Sequence, residues 1–204
     1  MKHIATTVLG PVLGAVLVLI AGACSATQDT TPAPAPEQAA GGHKAITTDK
    51  LEPYECGSIT RMHTFGGVFL ASQPKPADFE QAKNGGVKTV VNLRPESEIK
   101  DFDEPAVVAK LGLKYVNVPF GSPAQMSDAV LDRARDVLNT AERPILMHCS
   151  SANRAGAVWL VWRALDGGLA VDDAVAEAKV VGLASPELEG MARAYVARKS
   201  TERR

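Results

Sequence analysis

The hydrophobic positions of this chain fall into three regimes. Residues 4–20 form an apolar run behind Lys2, and residues 25–42 are polar and proline-rich. From about residue 45 short apolar segments alternate with amphipathic ones. Segments 67–72, 88–93, 115–119 and 145–148 are brief and mainly apolar, which predicts strands buried on both faces. Between them lie helical patterns. One runs through residue 83, with Pro76 at its first position and Asn84-Gly-Gly86 as its stop. A second follows Arg94, is interrupted by Pro105 and ends near Gly112. A third, capped by Ser127, runs through Asn139. The last third is helical: 155–165 is almost wholly apolar, with Trp159 and Trp162 three apart, and helices at about 172–181 and 186–199 are separated by Gly182 and Ser185. Alternating strands and helices predict an α/β domain over 45–204. Its core would be a small central, mostly parallel sheet of about four to five strands flanked by helices, with a helical C-terminal part.

Composition narrows the partners. With 46% hydrophobic and 22% charged residues and a net charge of −1, the 204-residue chain has no bulk electrostatic attraction for nucleic acid or an anionic membrane surface. The amino terminus reads as an export signal over 1–23, since Lys2 precedes the apolar run and Ala-Gly-Ala-Cys occupies 21–24. Ala21 to Ala23 suit ordinary signal cleavage. A cysteine straight after two small residues also resembles the lipobox of bacterial lipoproteins, with Ala21 where Leu or Val is usual. The Pro/Ala/Thr-rich tether at 24–44 favours lipidation at Cys24. The expectation is an exported lipoprotein on the periplasmic or outer face of a membrane, touching that membrane only through its anchor. Secretion and an uncleaved anchor are the alternatives.

The chemistry concentrates in Arg143-Pro-Ile-Leu-Met-His-Cys-Ser-Ser-Ala-Asn-Arg-Ala-Gly156. A short strand delivers Cys149 to its carboxyl end, a polar loop turns there, and an apolar helix follows. Loop amides, the helix N-terminus and Arg154 converge on one point, making an anion site with a sulfur nucleophile at its floor. Those groups favour thiolate over thiol. The other reading of Cys149 in an oxidising compartment is a disulfide with Cys56; a structural cystine needs neither His148 before it nor Arg154 after it. Cys56, His63, His148 and Cys149 lack the spacing of a zinc site.

On these residues the chain resembles the cysteine-dependent phosphatase superfamily of dual-specificity and tyrosine phosphatases. It is more similar still to the phosphatase-like family related to the beta-lactamase hydrolase-like proteins. The likeness spans roughly 58–198 and rests on Ala-Ser-Gln-Pro at 71–74, Gly-Val-Lys-Thr-Val-Val-Asn-Leu-Arg-Pro at 86–95, His-Cys-Ser-Ser-Ala-Asn-Arg at 148–154, and Ala-Lys-Val-Val-Gly-Leu-Ala-Ser-Pro at 178–186. The resemblance implies a phosphatase-like fold with Cys149 as nucleophile and Arg154 as a bidentate grip on phosphate oxygens. Ser150, Ser151, Ala152, Asn153 and Ala155 would complete the substrate cradle, with His148 holding the loop. The substrate would be a phosphorylated protein or small molecule, and neither metal nor cofactor is needed.

Three departures qualify that reading. Four residues separate Cys149 from Arg154 where the superfamily signature has five, and a loop of this size also occurs in rhodanese-like sulfurtransferases that carry a persulfide. Ala155 stands where a Ser or Thr hydroxyl is usual. Phe120-Gly-Ser122 follows the third predicted strand, where a general-acid Asp is expected. Asp128 is the candidate in its place. Asp101, Asp103 and Glu104 read as a solvated helix face, Arg94 as a capping or salt-bridging residue, and Ala152 as a strained position if its φ is positive. Three functions therefore stand open: a phosphatase, a sulfurtransferase or persulfide carrier, and an oxyanion-binding lipoprotein without turnover.

Overall fold

A computed structural model describes residues 48–202. The expected signal at 1–23, the lipidation position Cys24 and the tether at 24–44 lie outside the described residues. Strands β1 (Glu52–Pro53), β2 (Met62–Phe65), β3 (Val68–Ala71), β4 (Thr89–Asn92), β5 (Lys114–Asn117) and β6 (Ile145–His148) form one sheet in the order β1-β2-β3-β6-β4-β5. From β3 to β5 every neighbour is parallel, which is the expected four-stranded centre. A β2–β3 hairpin and the short β1 extend it antiparallel to six strands, so the sheet is mixed.

Side-chain alternation along the central strands builds two cores. Val68, Leu70, Val91, Ile145 and Met147 face α3 (Asp128–Thr140), α4 (Asn153–Leu165), α5 (Val171–Val181) and α6 (Pro186–Glu202). Phe69, Ala71, Val90 and Leu146 face α1 (Pro76–Asn84) and α2 (Glu104–Lys110). Trp159 is fully buried in the larger core, and burial of a side chain of this class stabilises the fold by roughly 1.5–3 kcal/mol. Its indole nitrogen donates to Glu177, which also pairs with Arg163 at 2.7 Å, so α4 is fixed to α5 by charge as well as packing.

Local rules account for most boundaries. Pro76 opens α1, and Ser127 caps α3 by accepting from the Val130 amide. Pro105 does not interrupt a helix: it occupies the first turn of α2, where a missing N–H costs nothing, and the Asp103 carboxylate accepts from the Ala106 amide. The stretch before it is a 3-10 turn, Glu96–Glu98. Helix α4 begins at Asn153, two residues earlier than its apolar pattern indicates. Gly156 lets α4 approach the chain after α5, since a Cβ there would stand 2.8 Å from both the Ala178 carbonyl and the Leu183 amide. Among the described residues no helix is long and apolar enough to cross a membrane.

Candidate active site

Strand β6 runs between β3 and β4 at the centre of the sheet, and its carboxyl end sets the site. Its last residue, His148, accepts the Leu93 amide on one side, while Cys149 donates its own amide to the Ala71 carbonyl on the other. The loop is then held by a bridge between Ser72 and Ser151 and by the Gln73 amide donating to the Ser150 carbonyl. Cys149 is 1% exposed and its thiol is free. Cys56 is also free; it packs beside α1, with its sulfur 3.9 Å from the Asp78 carbonyl, so the two cysteines do not form the alternative disulfide.

Ala152 turns the loop into α4. It is buried and left-handed, with φ 69° and ψ 1°, the strained position its sequence context raised. A left-handed alanine costs roughly 1–2 kcal/mol relative to an ordinary backbone. It occupies the N-cap of α4 and offers no side-chain acceptor. The first-turn amides, including those of Asn153 and Arg154, consequently keep their donors for whatever anion enters the loop. Ser150 and Ser151 are exposed at its mouth. Asn153 has a structural task instead: its carboxamide oxygen accepts the amides of Ala184 at 2.8 Å and Ser185 at 3.2 Å, tying the α5–α6 turn to the loop.

Arg154 is fixed from behind. One terminal nitrogen donates to Glu98 Oε1 at 2.9 Å and to the Phe120 carbonyl at 2.8 Å, and the other donates to Glu98 Oε2 at 2.7 Å. Burial opposes its charge, but the hydrogen bonds and charges of Glu98 and the neighbouring Cys149 outweigh it and raise its pKa above the ordinary arginine value. The same contacts hold the Glu98 carboxyl below its usual range, Arg154 foremost, with Arg94 assisting and burial opposing. Arg94 bonds to Glu98 and to Gln73 Oε1, so it aligns the clamp rather than meeting an anion.

The structure overturns one reading of the acidic segment. Asp101 and Asp103 are exposed as expected, but Glu104 is fully buried. Its Oε1 lies 2.9 Å from His148 Nε2, and its Oε2 accepts from Gln73 Nε2 at 2.7 Å. His148 is equally buried, with its ring edge toward Phe79, on the α1–α2 side of the sheet, whereas Cys149 joins the core on the other side. His148 therefore braces the strand end from the α1–α2 side of the sheet. Beside the pair, burial pushes the Tyr115 phenol up to about 12, with Glu104 adding to the shift and the Asn92 hydrogen bond opposing it.

Two other expected site residues also fall elsewhere. Ala155 is fully buried among core residues, so its side chain does not line the cradle. Asp128 begins α3 and is held by Arg198 of α6 at 2.5 Å, as a first-turn carboxylate in a surface ion pair. It is not among the residues around the loop's mouth. That mouth is a cavity of about 250 Å³ bounded by Gly121–Pro123, Ser151, Asn153, Arg154 and the start of α6 at Ser185, Glu187 and Leu188. A larger depression of about 420 Å³ lies against Glu104; its walls include Glu96, Asp103 and Glu104 and no cation, so it would repel an oxyanion.

A central parallel sheet with a cysteine at the end of its middle strand, followed by an arginine-bearing helix N-terminus, defines a cysteine-dependent phosphatase-like scaffold. Solved structures support that class at the level of fold. A DUF442 protein of Shewanella putrefaciens CN-32 aligns with TM-score 0.58 at 20% identity, covering 69% of this chain and 94% of that one. TpbA of P. aeruginosa, solved in complex with pTyr, aligns with TM-score 0.55 at 24% identity over 71% and 87%. Residues 63–166 match the family described as the beta-lactamase hydrolase-like protein, phosphatase-like domain, and the chain belongs to that family. The beta-lactamase hydrolase-like protein of Agrobacterium fabrum is 28% identical over 108 residues, 51% of this chain but 25% of the relative. A counterpart from Xylella fastidiosa is 26% identical over the same length. The chain thus shares about a quarter of the length of the curated relatives it matches.

Proposed function

We propose that this protein is an exported cysteine-dependent phosphatase acting on phosphomonoesters, held at a membrane by lipid on Cys24. The observation that carries the reading is Arg154, oriented by both oxygens of Glu98 beside the Cys149 thiol at a helix start without a side-chain cap. The guanidinium and the amides of 150–154 would take the non-bridging phosphate oxygens as their charge spreads in the transition state. The Cys149 thiolate attacks phosphorus, the S–P bond forms and the ester P–O bond breaks. Water then cleaves the phosphocysteine and regenerates the thiolate. TpbA's complex with pTyr makes a phosphorylated aromatic hydroxyl a reasonable first substrate class to test here.

The test uses the mature domain and p-nitrophenyl phosphate. Turnover is expected, to be abolished in Cys149→Ser and blocked by vanadate, with phosphate still raising the melting temperature of the variant. The Cys-x4-Arg spacing gives the sulfurtransferase reading its own observation. Transfer of sulfur from thiosulfate to cyanide, without ester hydrolysis, would replace the phosphatase assignment. Stabilisation by phosphate with neither activity would leave oxyanion binding as the function. Labelling of Cys24 by a lipid precursor in a bacterial host tests the anchor.

A further inference from the structure

A thiolate phosphatase needs a proton for the departing oxygen, and the expected source is missing. The turn after β5 offers Phe120, Gly121 and Ser122. Glu98 is spent on two arginines, and Asp128 is paired with Arg198 outside the mouth. Among the residues that bound the mouth, one carboxylate remains, that of Glu187.

Glu187 reaches this cavity from the helical part of the chain. The turn before it is docked on the loop by Asn153, whose carboxamide receives both the Ala184 and Ser185 amides. Ser185 then caps α6, its hydroxyl accepting from the Leu188 amide at 3.2 Å. Underneath, Gly182 packs so closely that a Cβ would lie 3.1 Å from that of Ala152. Asn153 directly precedes Arg154 in sequence, so two hydrogen bonds tie the backbone that leads into Glu187 to the residue next to the anion grip. A first-turn glutamate is favoured at any helix start by the dipole. Here it is additionally exposed and lines the same 250 Å³ cavity as Ser151, Arg154 and the acid-free Gly121–Pro123 turn.

Resting on the phosphatase reading above, we infer that Glu187 is the general acid and base of this site, supplied by α6 instead of the turn after β5. In the first step the S–P bond forms, the P–O bond to the leaving group breaks, and the carboxylic acid of Glu187 gives its proton to the departing oxygen. In the second, the Glu187 carboxylate takes a proton from water as the new O–P bond forms, the S–P bond breaks, and phosphate leaves with the thiolate restored.

The experiment compares wild type, Glu187→Gln, Glu187→Asp and Asp128→Asn on aryl phosphates of graded leaving-group acidity. A phenol leaves poorly without a proton, while 2,4-dinitrophenol needs none. Glu187→Gln should lose about 10²-fold or more in kcat/KM on phenyl phosphate and stay within about 3-fold of wild type on 2,4-dinitrophenyl phosphate, the signature of lost acid catalysis. Glu187→Asp should fall between them. Equal losses on all esters, or no loss, with Cys149-dependent turnover intact, would overturn the assignment of Glu187 and leave the phosphatase. The leaving-group effect appearing in Asp128→Asn instead would overturn it in favour of Asp128. A wild type inert toward every ester would overturn both readings together.

Discussion

Replacing Glu104 removes a fully buried carboxylate, and the loss can be counted from its hydrogen bonds. Two donors converge on it, His148 Nε2 at 2.9 Å and Gln73 Nε2 at 2.7 Å, with Glu104 and His148 both fully buried. In Glu104→Gln one oxygen becomes an amide donor. If that amide faces His148, the ring must accept at Nε2 and carry its proton on Nδ1, a buried atom without a partner. If it faces Gln73, that side chain must flip and lose the Arg94 bond to its oxygen. Either arrangement strands one buried polar group, at a cost of about 1–3 kcal/mol. Glu104→Ala strands both donors and opens a cavity, so about 3–5 kcal/mol is expected from two unpaired buried groups at about 1–3 kcal/mol each and the lost packing. At roughly 2–4 °C per kcal/mol for a domain of this size, Tm should fall by about 2–12 °C for the glutamine and about 6–20 °C for the alanine. Scanning fluorimetry reads this directly. Turnover measured well below both transitions should fall far less in Glu104→Gln than in Cys149→Ser. A Glu104→Ala variant melting within a degree of wild type would refute the pairing.

Two further outcomes follow from the clamp and the helix contact. Glu98→Gln weakens the grip on Arg154 and Arg94, with a loss of about 1–2 kcal/mol after allowing for its partial exposure, and a rise in KM for aryl phosphate. Because the folded carboxyl is held below its ordinary range, its contribution is full above the unfolded value of about 4.3 and fades as pH drops through the depressed folded one. The Tm gap between wild type and Glu98→Gln should therefore be level from neutrality down to about pH 4.3 and close below it; a gap that closes already near pH 6 would contradict the clamp. Gly156→Ala should lower stability by about 1–3 kcal/mol through collision with backbone, despite alanine's better helix propensity. A raised Tm would show that α4 and α5 are not in such close contact.

Much of this arrangement was legible because its causes are local. Strand β6 lies at Ile145–His148, where a four-residue apolar run placed it; Ser127 caps α3 and Pro76 opens α1 as their side-chain chemistry requires. The antiparallel β2 is not legible in the sequence, because Thr64, a polar residue, occupies an inward position and blurs the alternation of Met62-His-Thr-Phe65. Glu104 is concealed for a different reason. A glutamate in a first helical turn is what solvent exposure and the dipole both predict, and only its approach to a histidine 44 positions away makes it internal. Glu187 posed the same difficulty in reverse: its position in α6 is unremarkable until the fold brings that turn against Asn153.

The tie made by Asn153 has a consequence for how such proteins can diverge. The family match ends at residue 166, whereas Ser185, Glu187 and Leu188, which wall one side of the mouth, come from chain beyond it. Cys149 and Arg154 thus lie inside the matched segment, and one wall of the mouth is contributed by chain beyond it. At the mouth the Asn153 carboxamide, with its two hydrogen bonds, links them. Under the phosphatase reading proposed above, substitutions on that wall would change which esters fit the mouth while leaving the residues of the loop in place.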